Sequence, residues 1–303
     1  MEPVLDVHTH AQNVFGMCCV PPVLRPVMKH GLARLYEKTG FNPLMKKAES
    51  PLSMQFIVRE VQSRFATFTF EDYLAAMKRN GVTHACALPV EPMATTDELL
   101  AMVAGHPEVI PFASVDFEKP DPAGQLRGHL GRGCAGVKIH PIMQNIDPDD
   151  ERIHAVFAEL KGSGVPVIFH TGRMHYYLGR KPEDPSLADP ERFLPLLQRY
   201  PKQPVIFGHM GMLDADPAIG IAAEHDNVYL EVSFQPATVI QQALATLGHQ
   251  RILLGSDWPA SEARTEMGLI DIATRGNQEA RRNLLFHNAA ELLQRGGIVD
   301  LRI

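Results

Sequence analysis

From about residue 70 onward, short apolar runs alternate with longer stretches whose apolar positions recur every three or four residues. The runs His84–Pro89, Ile110–Val115, Gly136–His140, Pro166–His170, Pro204–Gly208, Val228–Val232 and Ile252–Gly255 read as strands, and Val4–Val7 makes an eighth. Several are nearly all apolar rather than alternating, the pattern of parallel strands buried on both faces. The stretches between them predict helices. Asp147-Pro148 offers a cap and an N1 proline ahead of Ile153, Val156, Phe157 and Leu160. Asp189-Pro190 repeats the device before Phe193, Leu196, Leu197 and Tyr200, and the stripe Ile240, Ala243, Leu244, Leu247 stops at Gly248.

Eight strands alternating with helices predict an α/β fold of (β/α)8 TIM-barrel type, one domain over residues 1–303. An open doubly wound sheet competes, but no early strand runs into a Gly-x-Gly-x-x-Gly turn. One stretch breaks the rhythm. Residues 11–69 separate the first strand from the first regular helix, read at about Glu71–Arg79. The stretch contains Pro21-Pro22, an amphipathic piece near His30–Lys38, and Phe65 and Phe68 with Phe70 just beyond. An insertion this long after strand one distorts the barrel and is expected to form a cap or lid over its C-terminal face.

Composition narrows the classes. The 303 residues (33.6 kDa) are 45% hydrophobic and 21% charged, which suits one large core and excludes a disordered or coiled-coil chain. A formal net charge of −6 without a Lys/Arg cluster argues against a nucleic-acid partner. There is no apolar run long enough to cross a membrane, and the start Met-Glu-Pro-Val-Leu-Asp does not look like a signal peptide. The four cysteines (18, 19, 86 and 134) form no C-x-x-C pair or disulfide framework. A cytoplasmic enzyme with a small-molecule substrate, no nucleic acid and no membrane is the expectation.

The chemistry-bearing residues fall at strand ends. Asp6-Val7-His8-Thr9-His10 closes the first strand, and residues two apart on a strand face the same way, so His8 and His10 can share a metal. Four later strands end in Lys138-Ile-His140, His170-Thr-Gly, His209-Met-Gly and Gly-Ser-Asp257-Trp-Pro. Barrel strands converge at their C-terminal ends, so these residues meet around one centre. Imidazole and carboxylate are suitable ligands for Zn²⁺, Mn²⁺ or Fe²⁺.

With His8-x-His10, His170, His209, the Gly-Ser-Asp257-Trp-Pro turn and the closing Asn283-Leu-Leu-Phe-His-Asn288-Ala helix, the sequence resembles the amidohydrolase superfamily over essentially its whole length. The similarity is to the amidohydrolase-2 branch, which also holds aminocarboxymuconate semialdehyde decarboxylase-like enzymes. The resemblance implies a distorted (β/α)8 barrel with His8, His10, His170 and Asp257 on a divalent metal, most simply zinc, and His209 as ligand or catalytic group. In binuclear members a carboxylated lysine on strand four bridges two ions, a role open to Lys138, with His209 then also a ligand. The bland alternative pairs Lys138 with a buried acid such as Asp6 or Glu231. One ion per chain is favoured and two are possible.

The reaction expected is hydrolysis of a small carbonyl compound such as an amide, lactone or cyclic imide. A bound ion lowers the pKa of its water, Asp257 takes the proton, and the metal or His209 polarises the carbonyl. Non-oxidative decarboxylation of an aromatic or muconate-type acid is the rival on the same scaffold. The Lys138 strand favours the hydrolase side of the resemblance. A DNase-type phosphodiesterase would need acidic partners that are not evident, and a non-catalytic metal protein sits poorly with a ligand set that leaves an open position. Arg173 and His175, after strand five, with His140 and Trp258, are the candidate substrate contacts. His106, His129, His225 and His249, like His30, read as surface residues, and His287 as a packing residue. The insertion suggests a homodimer or higher homo-oligomer.

Overall fold

In the computed structural model, residues 2–28, 51–177, 179, 183–297, 299 and 301 are described. The amphipathic piece at His30–Lys38 lies outside the described residues. Eight parallel strands follow the predicted runs, most of them shorter, while the first runs on to Thr9 and the third starts one residue earlier. They are β1 (Leu5–Thr9), β2 (His84–Ala87), β3 (Val109–Pro111), β4 (Val137–Ile139), β5 (Val167–His170), β6 (Val205–Gly208), β7 (Val228–Glu231) and β8 (Ile252–Leu253). They pair in chain order as a sheet β1-β2-β3 and a sheet β4-β5-β6-β7-β8.

The two sheets meet at two seams that carry isolated pairings, Ala113 with Val137 and Thr9 with Trp258, in place of regular ladders. At the second seam Val7 N–H donates to Leu254 O at 2.9 Å, Asp257 N–H to His8 O at 2.7 Å, and His10 N–H to Trp258 O at 2.9 Å. The result is a TIM barrel distorted at its seams. The second seam also ties the backbones of His8, His10 and Asp257 to one another, a rigid foundation for anything built on them.

The apolar runs are split by pleat. Val137, Val167, Val205, Phe207, Val228 and Leu230 pack outward against the helices. Leu5, Val7, Ile110, Ile168, Ile206 and Leu253 fill the barrel interior, and Phe286, Ala289 and Leu293 of the closing segment complete that cluster from the N-terminal end of the strands.

The helices depart from expectation in three places. Asp150, not Asp147, caps Glu151–Glu159 by accepting from Arg152 N–H, because Asp147 is engaged with Arg192 and Asp149 N–H instead. Asp189 makes no side-chain cap bond, its carboxylate being held by Arg173. The turn it opens, Pro190–Phe193, is a 3-10 helix, and the α-helix begins only at Leu194 because Pro195 has no N–H to continue the ladder. Third, the insertion contains a regular helix, Pro51–Phe65, ahead of the expected first helix, which spans Phe70–Asn80. No helix among the described residues is long and apolar enough to cross a membrane.

Candidate metal centre

Strict alternation along β1 would set His8 and His10 opposite to Leu5 and Val7, which face the barrel interior. The register of β1 on β2 shifts between Asp6 and Thr9, and this irregularity re-aims the strand. Asp6 and Thr9 turn to the helix layer, where they line a small cavity with Tyr73, Ser256 and Trp258. His8 and His10 turn inward to the floor of the main pocket.

Both imidazoles are oriented from behind. His8 Nδ1 lies 2.8 Å from Glu231 Oε2, and His10 Nδ1 lies 2.7 Å from Leu88 O. A carbonyl and a carboxylate both accept, so each Nδ1 donates to the group behind it and each ring turns its Nε2 to the pocket. Asp257 Oδ1 lies 3.0 Å from His10 Nε2 and 3.5 Å from His8 Nε2. Protonation of His8 would relieve this crowding of acceptors, but burial pushes its pKa well below the usual value, with Lys138 adding to the push. Two imidazole nitrogens and a carboxylate oxygen converging on one point make a donor set that suits a cation. Their ligand atoms lie within 4.8 Å of one another, and donors around a tetrahedral ion stand about 3–3.5 Å apart. The residues fit a divalent metal.

Close packing holds this arrangement. A Cβ on Gly255 would meet Glu231 Oε1 at 2.3 Å, and one on Gly208 would lie 2.7 Å from Phe169 O and 3.3 Å from His8 Cε1. Glycine at these two points lets Glu231 and His8 occupy the barrel's centre. Glu231 is fully buried, and burial raises its pKa to about 8. Opposing that, it accepts from His8 Nδ1, His209 N–H, Ser233 N–H and Ser233 Oγ–H. The grouping His8–His209–Glu231 also has its ligand atoms within 4.8 Å, but this carboxylate is spent on orienting its neighbours.

Because Ser233 gives its one hydroxyl proton to Glu231, the 2.6 Å contact between Ser233 Oγ and His209 Nδ1 must be donated by the imidazole. His209 Nε2 is therefore bare, and a neutral His209 accepts hydrogen bonds in the pocket but cannot donate one to a carbonyl. Burial pushes its pKa well below normal, so it stays neutral. His209 and Asp257 both sit in the left-handed backbone region, with φ of 61° and 55°, strain of the kind that persists where surrounding contacts fix a site.

Lys138 is fully buried, its Nζ 3.3 Å from His8 Nε2. Burial lowers its pKa to about 8, against the pull of Asp257 and Glu231. Its close polar contact is thus with His8, not with Asp6 or Glu231; Asp6 is turned away to Ser256 N–H at 3.0 Å. His140 stacks on His170 at 4.2 Å, and Tyr176 Oη reaches both, at 3.2 Å from His140 Nε2 and 3.2 Å from His170 Nε2. Burial lowers His170 to about 3. His170 lines the same pocket but stands outside both tight donor groups.

Three expected substrate contacts, Arg173, His175 and Trp258, are not among the residues that line the pocket. In the loop after β5, Met174 and Tyr176 line the pocket, while the alternate residues Arg173 and His175 are exposed. The Arg173 side chain is 70% exposed and forks onto Asp189 with two contacts of 2.6 Å; His175 rests against the Tyr177 ring. Trp258 is buried on the helix side of β1, its ring 4.8 Å from Phe68 and 5.3 Å from Tyr73, and belongs to the core. Tyr176, Ser233 and the orienting role of Glu231 escaped the sequence reading. The parity of β7, where Tyr229 and Glu231 share the inner face, was the available signal for Glu231. His106, His129, His225, His249 and His287 are half-buried rather than fully exposed, and His249 receives a 2.7 Å contact from Asn283.

The pocket rises above this floor and is partly open to solvent. Its walls are Val14 and Phe15 after β1, Ile57, Val58, Val61 and Phe65 of the helix Pro51–Phe65, and Met143, Met174, Met212 and Phe234 from later loops.

Comparison with known proteins agrees with this architecture. An uncharacterised TIM-barrel protein from Bordetella bronchiseptica superposes with a TM-score of 0.68 at 17% identity, covering 97% of this chain and 99% of its own. A 2,6-dihydroxybenzoate decarboxylase from Rhizobium gives 0.65 at 16% identity, covering 97% and 99%. A dihydroxybenzoic acid decarboxylase from Polaromonas, holding manganese and 2-nitroresorcinol, gives 0.63 at 16% identity with 97% of each chain covered. No curated protein matches in sequence. The family model described as Amidohydrolase matches residues 6–295, nearly the whole chain and every strand but the first residue of β1. The chain belongs to the amidohydrolase family, in its amidohydrolase-2 branch.

Proposed function

We propose that the protein is a metal-dependent hydrolase of a small carbonyl compound, an amide, lactone or cyclic imide. The observation that carries this reading is the convergence of His8 Nε2, His10 Nε2 and Asp257 Oδ1 beside the buried Lys138. His8, His10 and Asp257 would hold the ion, with His170 as the fourth group; zinc, manganese and iron all suit such donors. A divalent ion there would supply Lewis-acid polarisation and a lowered pKa for water.

The chain's own groups do the rest. Asp257 is the one carboxylate lining the pocket among the described residues, and it accepts the proton of the attacking water and returns it to the leaving group. His209 holds that water by accepting at Nε2, the role its tautomer permits, in place of polarising the carbonyl. Tyr176, whose pKa burial holds well above the ordinary phenol range, stays protonated and donates. One ion is favoured; a second would require Lys138 carboxylated on its neutral amine, a form that its lowered pKa makes accessible.

Decarboxylation is the second reading, supported by the decarboxylases among the similar structures. In it, Asp257 would deliver a proton to the ring carbon that loses CO₂. Turnover in H₂¹⁸O separates the two. Hydrolysis places ¹⁸O in the product of a lactone or amide. Release of CO₂ from hydroxybenzoates, with no ¹⁸O incorporated from any ester, lactone or amide, would overturn the hydrolase reading.

A further inference from the structure

The pocket is divided by height. Every titratable group that lines it, among the described residues, lies in the floor set of His8, His10, Lys138, His140, His170, Tyr176, His209 and Asp257. Above them the lining is apolar. The helix Pro51–Phe65 sends Ile57, Val58, Val61 and Phe65 to the pocket, positions at helical spacing on one face. Phe15 packs edge-on to Phe65, with ring centroids 4.9 Å apart, and faces Tyr176 at 5.8 Å, closing an aromatic corner. No arginine, and no lysine other than Lys138, lines the pocket among the described residues.

We propose that the substrate is uncharged away from its reacting carbonyl and carries an apolar arm, alkyl or aryl, seated against this face of the helix. The inference rests on the hydrolase reading only for the reacting group at the floor. A second carboxylate on the substrate would leave water for a wall that, among the described residues, offers no cation, a cost without compensation. Each apolar carbon placed there leaves water for carbon. The three methionines of the wall are unbranched and adjust to the shape of the arm. The insertion therefore selects the substrate, while the strand ends perform the reaction.

The test uses the metal-loaded protein and alkyl hydroxamates of two to ten carbons, which chelate the ion without being turned over. Calorimetry should show Kd tightening about fourfold per methylene until the wall is covered. A terminal carboxylate on a long tail should weaken binding at least about tenfold relative to the methyl-ended tail of equal length. Val61→Arg, whose half-buried position lets a long side chain reach the mouth, should reverse that preference. If Val61→Arg fails to fold, Phe65→Ala should flatten the dependence on tail length instead. Equal affinity across the series, tighter binding of carboxylate tails by the wild type, or no binding of any hydroxamate would overturn the proposal. The ¹⁸O experiment fails independently. A tail-length dependence without ¹⁸O incorporation leaves the arm site standing and removes hydrolysis, and the converse removes only the arm.

Discussion

Two pairs of residues, each separated by one position, meet opposite fates at the mouth of the barrel. His8 and His10 end β1 and both turn inward; Arg173 and His175 follow β5 and both turn out. In each case the two residues of the pair share a side. What picks the side is the company of the alternate residues. Between and after Arg173 and His175 stand Met174 and Tyr176, and the pocket takes this pair. Around His8 and His10 the alternates are Val7 and Thr9, and simple alternation would keep Val7 inside and the histidines out. The register shift after Asp6 spares both, allowing Val7 to stay in the barrel while the histidines join the floor. The inner pair is then fixed by acceptors behind each ring, and the outer pair by little beyond one exposed ion pair.

The largest test of that contrast is Asp257→Asn, which removes the carboxylate facing the inner pair. It should lower kcat by about 10³-fold on any substrate the wild type hydrolyses, with the fold intact by circular dichroism. Near wild-type turnover would remove Asp257 from the role of base. Glu231→Gln keeps the shape but places an amide where four donors converge. Metal affinity measured by chelator competition should fall about 10- to 100-fold; an unchanged affinity would mean that His8 needs no orientation from behind. Gly255→Ala forces a methyl against Glu231 and should cost about 1–3 kcal/mol by denaturant unfolding. A neutral result would mean that the centre of the barrel is loosely packed.

The smallest effect is expected from the outer pair. Arg173→Ala and His175→Ala should each leave kcat/KM within about twofold. Because Arg173 is largely exposed, loss of its contact with Asp189 should lower stability by no more than about 1 kcal/mol. A tenfold loss in kcat/KM from either would place the loop on the substrate and dissolve the contrast.

Much of the barrel was legible because buried parallel strands leave continuous apolar runs. All eight lie within a few residues of these runs, and only their ends differ. The strand-end residues His8, His10, Lys138, His140, His170, His209 and Asp257 were legible for the same reason: once strands are located, barrel geometry sends their C-terminal ends to one place. The helix Pro51–Phe65 was missed although Ile57, Val58, Val61 and Phe65 repeat at helical spacing, because the polar residues among them blur the stripe. Asp147 and Asp189 looked like caps, and each was claimed by an arginine that no local pattern reveals.

By itself, then, the sequence determined the class of fold, the ring of strand-end donors and the suitability of those donors for a divalent ion. These depend on periodicity and residue type, which are local properties. Tertiary structure alone decided which way each donor faces, which nitrogen of each imidazole carries the proton, that Trp258 serves the core, and that the helix Pro51–Phe65 lines the pocket. Those outcomes depend on one irregular step in β1, on the acceptors Glu231, Ser233 and Leu88 O brought from distant strands, and on glycines that let them approach. Contacts between residues far apart in the chain leave no periodic trace along it.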